Sequence, residues 1–273
     1  MIEKKFLWTV SGARLEFIKV SSGLPIQWLF LPGGPGLGSE VLYPLTKSLN
    51  LPGTIWHLDL PGDGSNEQGH IQDWSKGILE AVESLNDVVL VGHSRGGMFA
   101  LALPELEKKL KGIVLMSAAP DMSWQKEFAR KIQQPAYAKI QKLEEAFQKN
   151  PNPETLKELV LGGAPLMFTH DGLSKGIKSL ENLPYNSKAI AWTQSHFDPT
   201  YSAQWIPKSI PALILSGSED QATPLKYFSA KKEFHRPNIQ MREIPQAGHF
   251  PWIEKPKEVQ AAFDEFCFNL LKI

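Results

Sequence analysis

The strongest constraint in the chain is a pentapeptide caught between two periodicities. Residues 87–91 read as an apolar strand, Gly92-His93-Ser94-Arg95-Gly96 follows without a spacer, and a helical pattern over 96–110 begins at once. A strand that becomes a helix across one residue bends so sharply that little side-chain volume fits two positions before or after the apex. Glycines at 92 and 96 meet that need. The turn presents the Ser94 hydroxyl above the sheet, and the helix that starts there places its partial positive charge beside it. Ser94 is therefore a candidate nucleophile, against the plainer reading of a structural serine in a glycine-rich turn.

The same alternation runs through both ends of the chain. Apolar runs at 6–10, 14–20 and 26–31, punctuated by Gly12, Gly23 and Pro25, read as strands with tight connections. Ser39 stands where it would cap a helix carrying Val41, Leu42, Leu45 and Leu49. Strands at 54–60 and 112–117 flank a helix at 73–85 and the strand and helix around Ser94. After residue 207 come a strand at 212–216, a helix at 224–234, a strand at 239–244 and a helix at 257–271. Unbroken apolar strands alternating with helices predict a mostly parallel sheet covered on both faces.

Between 120 and 207 the alternation stops. Helical patterns at 123–150 (with Pro135 expected to kink it), 153–161 and 184–197 predict a helical insertion, so the core comprises 1–119 and 208–273. With 273 residues, one large domain with an insertion fits better than two equal domains.

Two loops after strands have compositions suited to chemistry at Ser94. Leu31-Pro32-Gly33-Gly34-Pro35-Gly36 lets the main chain approach a reacting carbonyl, and the N–H groups of Gly34 and Arg95 are the candidate oxyanion donors. In that role the Arg95 side chain is expected to be irrelevant. The loop lacks the Gly-Lys-Ser or Gly-Lys-Thr ending of a phosphate-binding loop. Of seven histidines, His57 reads as a core residue in a strand, and His93 is expected to turn its ring away from the Ser94 hydroxyl. His249 lies in a loop after the last strand, at the sheet edge where open α/β sheets build sites, and is the candidate base. Asp220, in the loop after the strand at 212–216, is the candidate acid that orients it, with Glu219 and Asp121 as rivals.

These motifs resemble the α/β-hydrolase superfamily over nearly the whole chain. Pro32-Gly33-Gly34-Pro35-Gly36 is similar to its HGGPG loop, Asp59-Leu60-Pro61-Gly62-Asp63-Gly64 to its DLPGxG turn, and the pentapeptide at Gly92 to its nucleophile elbow. Gly217-Ser218-Glu219-Asp220 with Pro224 resembles its acid loop, and Gly248-His249-Phe250-Pro251 with Glu254 and Pro256 its histidine loop. Pro32 departs from the family, which usually has histidine there. The glycine loop also resembles that of proline iminopeptidases, although those usually carry tryptophan where this chain has Arg95.

The resemblance implies an eight-stranded, mostly parallel sheet with a helical lid at 120–207 inserted after the sixth strand. It also implies a Ser94–Asp220–His249 triad that cleaves an ester or amide of a small to medium, largely apolar acyl substrate. A proline iminopeptidase-like aminopeptidase, a carbon–carbon bond hydrolase and a non-enzymatic ligand receptor are the alternatives. Trp124, Phe168, Trp192 and Phe250 are the candidate substrate-binding residues.

Composition removes other classes. Lys plus Arg (29) equals Asp plus Glu (29), so no net charge draws the chain to nucleic acid or an anionic membrane. The single cysteine, Cys267, excludes an internal disulfide and a multi-cysteine zinc site, and the histidines lack the i, i+4 pairing of a helical metal motif. No cofactor and no metal are expected, and the partner is a small molecule. Residues 1–8 carry no signal-peptide pattern and no run reaches membrane-span length, which reads as a soluble cytoplasmic protein.

Overall fold

In the computed structural model, which describes residues 5–21 and 23–272, the predicted strands join in one sheet. They are β1 (Phe6–Trp8), β2 (Arg14–Ser21), β3 (Gln27–Leu31), β4 (Gly53–Asp59), β5 (Val88–His93), β6 (Gly112–Met116), β7 (Ala212–Gly217) and β8 (Ile239–Ile244). Their order is β1-β2-β4-β3-β5-β6-β7-β8. Only the pairings made by β2 are antiparallel; from β4 to β8 the sheet is parallel.

The strands can be continuously apolar because alternate residues feed two separate cores. Leu29, Leu31, Val88, Leu90, Ile113 and Leu115 join one core, with Ile78 and Phe99 from the helices α2 (Trp74–Glu83) and α3 (Arg95–Leu101). Trp28, Phe30, Val89, Val91 and Val114 join the other, under Leu45 of α1 (Tyr43–Ser48) and Phe263 and Phe266 of α11 (Pro256–Leu270). In chain order, α4 (Ser123–Ile132), α5 (Ala138–Lys149), α6 (Pro153–Gly163), α7 (Leu173–Leu180), α8 (Ser187–Trp192), α9 (Lys226–Ser229) and α10 (Pro251–Glu254) come between α3 and α11. Helices α4 to α8 make up the segment between β6 and β7.

Several helices differ from the sequence pattern for local reasons. The helix expected over 96–110 stops at Leu101, and a 3₁₀ turn, Pro104–Lys108, follows, because Pro104 has no N–H to continue the ladder. The long helix expected over 123–150 divides into α4 and α5 at a 3₁₀ turn that opens on Pro135. The one at 224–234 shortens to α9 and a separate 3₁₀ turn, Lys232–Phe234. Ser39 caps nothing: it opens a 3₁₀ turn, and its N–H and hydroxyl donate to the two oxygens of Asp59 at 2.6 and 3.0 Å. Helix α7 was not expected. Its Gly176, which weakens the helical pattern, packs against Phe168; a Cβ there would come within 2.6 Å of the ring.

Parallel register brings the chemistry-bearing loops to one edge. Leu31 lies opposite Gly92, His93 opposite Met116, and Gly217 opposite Ile244, so the loops after β3, β5, β6, β7 and β8 leave the same side of the sheet. Among the described residues no helix is long and apolar enough to cross a membrane.

Candidate active site

At the end of β5 the chain turns through Ser94 with φ 52° and ψ −125°, a backbone conformation L residues rarely adopt. Contacts on both sides hold it there. The Ser94 N–H donates to the Met116 carbonyl at 2.8 Å, and the Ser94 carbonyl accepts from Gly97 N–H and Met98 N–H. A Cβ at Gly92 would sit 2.6 Å from Gly97, and one at Gly96 2.5 Å from the Pro32 carbonyl oxygen. The two glycines therefore let the elbow close on its own helix and on the glycine loop.

Asp220 and His249 meet across the ends of β7 and β8. The His249 Nδ1 lies 3.0 Å from Asp220 Oδ2 and 3.2 Å from Oδ1, and both side chains are buried. Asp220 Oδ1 also accepts the N–H groups of Ala222 and Thr223, each at 2.9 Å. Burial alone would raise the Asp220 carboxyl, but the neighbouring imidazole and these N–H donors outweigh it and bring the group below its ordinary value. The rivals are occupied elsewhere: Glu219 is exposed, and Asp121 pairs with Lys231 at 2.7 Å.

His93 faces His249 rather than the solvent. Burial, with His249 next to it, holds its imidazole well below the ordinary value, so the ring is neutral. Its Nε2 lies 3.2 Å from the His249 carbonyl, which as an acceptor takes the N–H. The ring also packs edge-on against Trp252. His57 is a core residue as expected, buried with its Nε2 3.0 Å from Thr46 Oγ1.

The loop after β3 is tied at three places. Asp63 Oδ1 accepts the Gly36 N–H at 2.6 Å and the Gly64 N–H at 2.7 Å. The Gly36 carbonyl accepts the Asn186 N–H at 2.7 Å. The Gly34 carbonyl accepts Arg95 Nη1 at 3.1 Å. The Gly34 N–H makes no backbone hydrogen bond among the described residues. That of Arg95 belongs to the first turn of α3, where donors have no intrahelical acceptor. One expectation is corrected here. The Arg95 side chain is not indifferent to the loop, because its guanidinium reaches the residue that carries the other candidate donor.

These groups open on one cavity of about 760 Å³. Ser94, His249, Gly33 and Gly34 share its wall with Leu37, Val41, Ile132, Ile140, Leu156 and Leu166. Of the four aromatic residues expected to bind substrate, Trp124 and Phe250 are on the wall and Phe168 and Trp192 are not. Phe168 stacks behind Phe250 at 5.1 Å, and Trp192 stacks on the His196 ring at 5.1 Å. The Phe168 ring thus packs the helical segment onto the histidine loop, and the Trp192 ring packs within the segment. Among the described residues no group of three or more His, Cys, Asp or Glu side chains is arranged to hold a metal ion.

Asp63 gives this site a pH dependence. It is fully buried, and burial together with the nearby Asp59 and, less strongly, Glu40 pushes its carboxyl up to about 7 against its two N–H donors. The folded chain thus keeps a proton that the unfolded chain releases near 3.8, and stability from this group declines as pH rises from about 4 to 7. Asp63→Asn should match the wild type only below about pH 4, exceed it by about 1.6 kcal/mol at about pH 5, and exceed it by about 4 kcal/mol near pH 8.5. Denaturant unfolding at the two higher pH values checks this; an equal difference at both would contradict it.

The alpha/beta hydrolase family model matches residues 28–262, and the chain belongs to that family. It is a hydrolase whose relatives are mainly esterases. It is 23% identical over 250 residues to a pimeloyl-[acyl-carrier protein] methyl ester esterase of Xylella fastidiosa strain M23, covering 89% of this chain and 95% of that one. It is 24% identical over 269 residues to a proline iminopeptidase of Lactobacillus delbrueckii subsp. lactis, covering 88% and 90%. In fold it is similar to an alpha/beta hydrolase of Bacillus anthracis str. Sterne, with a TM-score of 0.74 at 17% identity over 97% of this chain and 99% of that one.

Proposed function

We propose that the protein is a serine esterase for substrates with a small to medium, largely apolar acyl group, working through Ser94, His249 and Asp220. The observation that carries this is the shared cavity: the serine, the imidazole and the glycine loop sit on a wall that aliphatic side chains such as Leu37, Val41, Ile132 and Leu156 share with polar ones such as Gln133, Gln141 and Glu144. In this reading Ser94 attacks the ester carbonyl while His249 takes its proton. Asp220 fixes the imidazole tautomer and stabilises the cation that forms. The N–H groups of Gly34 and Arg95 hold the oxyanion, the alcohol leaves with the proton from His249, and water activated by the same imidazole releases the acid. The segment 120–207 acts as the lid, contributing Ile132, Ile140, Leu156 and Leu166 to the acyl wall.

The Xylella relative, named for a pimeloyl-[acyl-carrier protein] methyl ester, also acts on an ester. A second reading, an aminopeptidase, is favoured by one observation: Glu144 and Glu145 also reach the cavity, where a carboxylate would attract a free amino terminus. One panel separates the two. Nitrophenyl esters of two to twelve carbons should be hydrolysed with kcat/KM highest at intermediate length, by about tenfold over acetate, and prolyl anilides should be poor substrates. Preference for the anilides would favour the second reading, and no turnover of any ester would overturn the first.

A further inference from the structure

Arg95, directly after the candidate nucleophile, is a bridging side chain. Its guanidinium donates from Nε to Asp198 Oδ1 at 2.9 Å and from Nη2 to Oδ2 at 2.6 Å, a bidentate pair, and from Nη1 to the Gly34 carbonyl at 3.1 Å. The pair is nearly dry: the side chains are 13% and 1% exposed. The planar group also lies over the Trp124 ring, 5.6 Å from its centroid. One side chain therefore touches three parts of the molecule: the elbow that carries it, the glycine loop, and the helical segment 120–207 through Asp198 and Trp124.

The placement of Asp198 is itself specific. It follows a π-helical turn, Thr193–Phe197, whose Gln194 is on the cavity wall. A π turn widens a helix by one residue and is common near functional sites. Elsewhere the glycine loop is held by Asp63 and Asn186 at Gly36 and by Asp59 at Ser39. Among the described residues, the side-chain anchor at Gly34 is the guanidinium. Pro32, at the head of the loop, has no donor to offer.

We propose that Arg95 is a positioning residue. Held by Asp198, its guanidinium fixes the Gly34–Pro35 peptide by its carbonyl and, through the Gly34 Cα, restricts the adjoining Gly33–Gly34 peptide whose N–H donates to the oxyanion, and so makes a complete oxyanion site depend on the seating of the helical segment. The proposal rests on the reading of Gly34 N–H as an oxyanion donor, and it assigns the side chain of Arg95 a task separate from that of its own N–H. A guanidinium fits this task because it delivers three directed N–H bonds from one plane; a lysine ammonium cannot span both the carboxylate and the carbonyl in that geometry.

The experiment compares Arg95→Met, Arg95→Lys and Asp198→Asn with the wild type, using an ester substrate and a trifluoromethyl ketone of the same acyl length. The ketone adds Ser94 and places an oxyanion, whereas the corresponding free alcohol binds the cavity without one. Folding is checked by circular dichroism and thermal melting. In the folded variants kcat should fall about 30- to 100-fold with KM within about threefold. Affinity for the ketone should fall in parallel, and affinity for the alcohol should stay within twofold. The effects of Arg95→Met and Asp198→Asn should not add in the double variant, since both break one link.

Wild-type ketone affinity in folded Asp198→Asn would overturn the proposal, as would equal losses for ketone and alcohol, which mark a merely structural role. If Arg95→Met does not fold, Asp198→Asn and Arg95→Lys decide. A failure of the underlying reading looks different: Ser94→Ala would then retain turnover, whatever the Arg95 variants do.

Discussion

Asp220→Asn is expected to lower kcat by about 10⁴-fold with little change in KM, the scale of loss when a triad carboxylate becomes an amide that stabilises the wrong imidazole tautomer. Asp220 is buried, holds both oxygens within 3.2 Å of His249 Nδ1, and is itself fixed by two backbone N–H groups. An asparagine can keep those backbone bonds by presenting its carbonyl to them, which leaves the NH₂ facing the imidazole. His249 must then accept at Nδ1 and carry its proton at Nε2, where a base for Ser94 needs a lone pair. Glu219→Gln, on an exposed side chain, and Asp121→Asn, whose carboxylate is engaged with Lys231, should each change kcat by less than about threefold. Steady-state kinetics on one good ester, with melting curves for all three variants, decides the matter. Equal kcat for Asp220→Asn and wild type would move the acid elsewhere.

The second large effect is at the elbow. Ser94→Ala should cut kcat by on the order of 10⁴- to 10⁶-fold, leaving the residual rate that the oxyanion donors and binding supply without a nucleophile. The fold should tolerate the change, because the elbow is held by the Ser94 main chain: its N–H to Met116 and its carbonyl to Gly97 and Met98. The variant should therefore bind substrate with near wild-type affinity in an equilibrium measurement while failing to turn it over. Loss of binding together with activity would mean that the hydroxyl supports the cavity rather than the reaction.

Much of this arrangement was legible in the chain because it rests on local rules. The strand at 239–244 coincides with β8, and the parallel sheet followed from apolar runs such as Val88 to Val91, whose alternate residues feed two cores. Ser94, Asp220 and His249 could be picked out because each stands in a loop directly after a strand, and parallel register sends all such loops to one edge. What escaped is long-range. Nothing around Asp198 marks it as the partner of Arg95, 103 residues away, since a buried ion pair has no sequence period. Glu254 likewise ties the histidine loop to the helical segment, accepting Gly248 N–H on one oxygen and Thr169 on the other, a link visible only in space.

The helical segment was also where side-chain type misled. Aromatic residues there suggested a pocket lining, yet Phe168 and Trp192 are spent on stacking, and aliphatic residues of α4, α5 and α6 form more of the wall. Amphipathic periodicity tells which face of a helix is buried. It does not distinguish burial against a neighbour from burial beside a cavity. Helix α7 shows the same limit from the other side: the glycine that obscured it is there to admit the Phe168 ring.

If Ser94 is an activated nucleophile, it reacts covalently with an electrophile that mimics an ester. A fluorophosphonate carrying an apolar chain, reacted with the whole protein and followed by peptide mass spectrometry, tests it most directly. One phosphonyl group per chain is expected, located on Ser94, lost in Ser94→Ala and slowed by orders of magnitude in Asp220→Asn. A folded wild-type protein that remains unlabelled, or a Ser94→Ala variant labelled as fast as wild type, would contradict it.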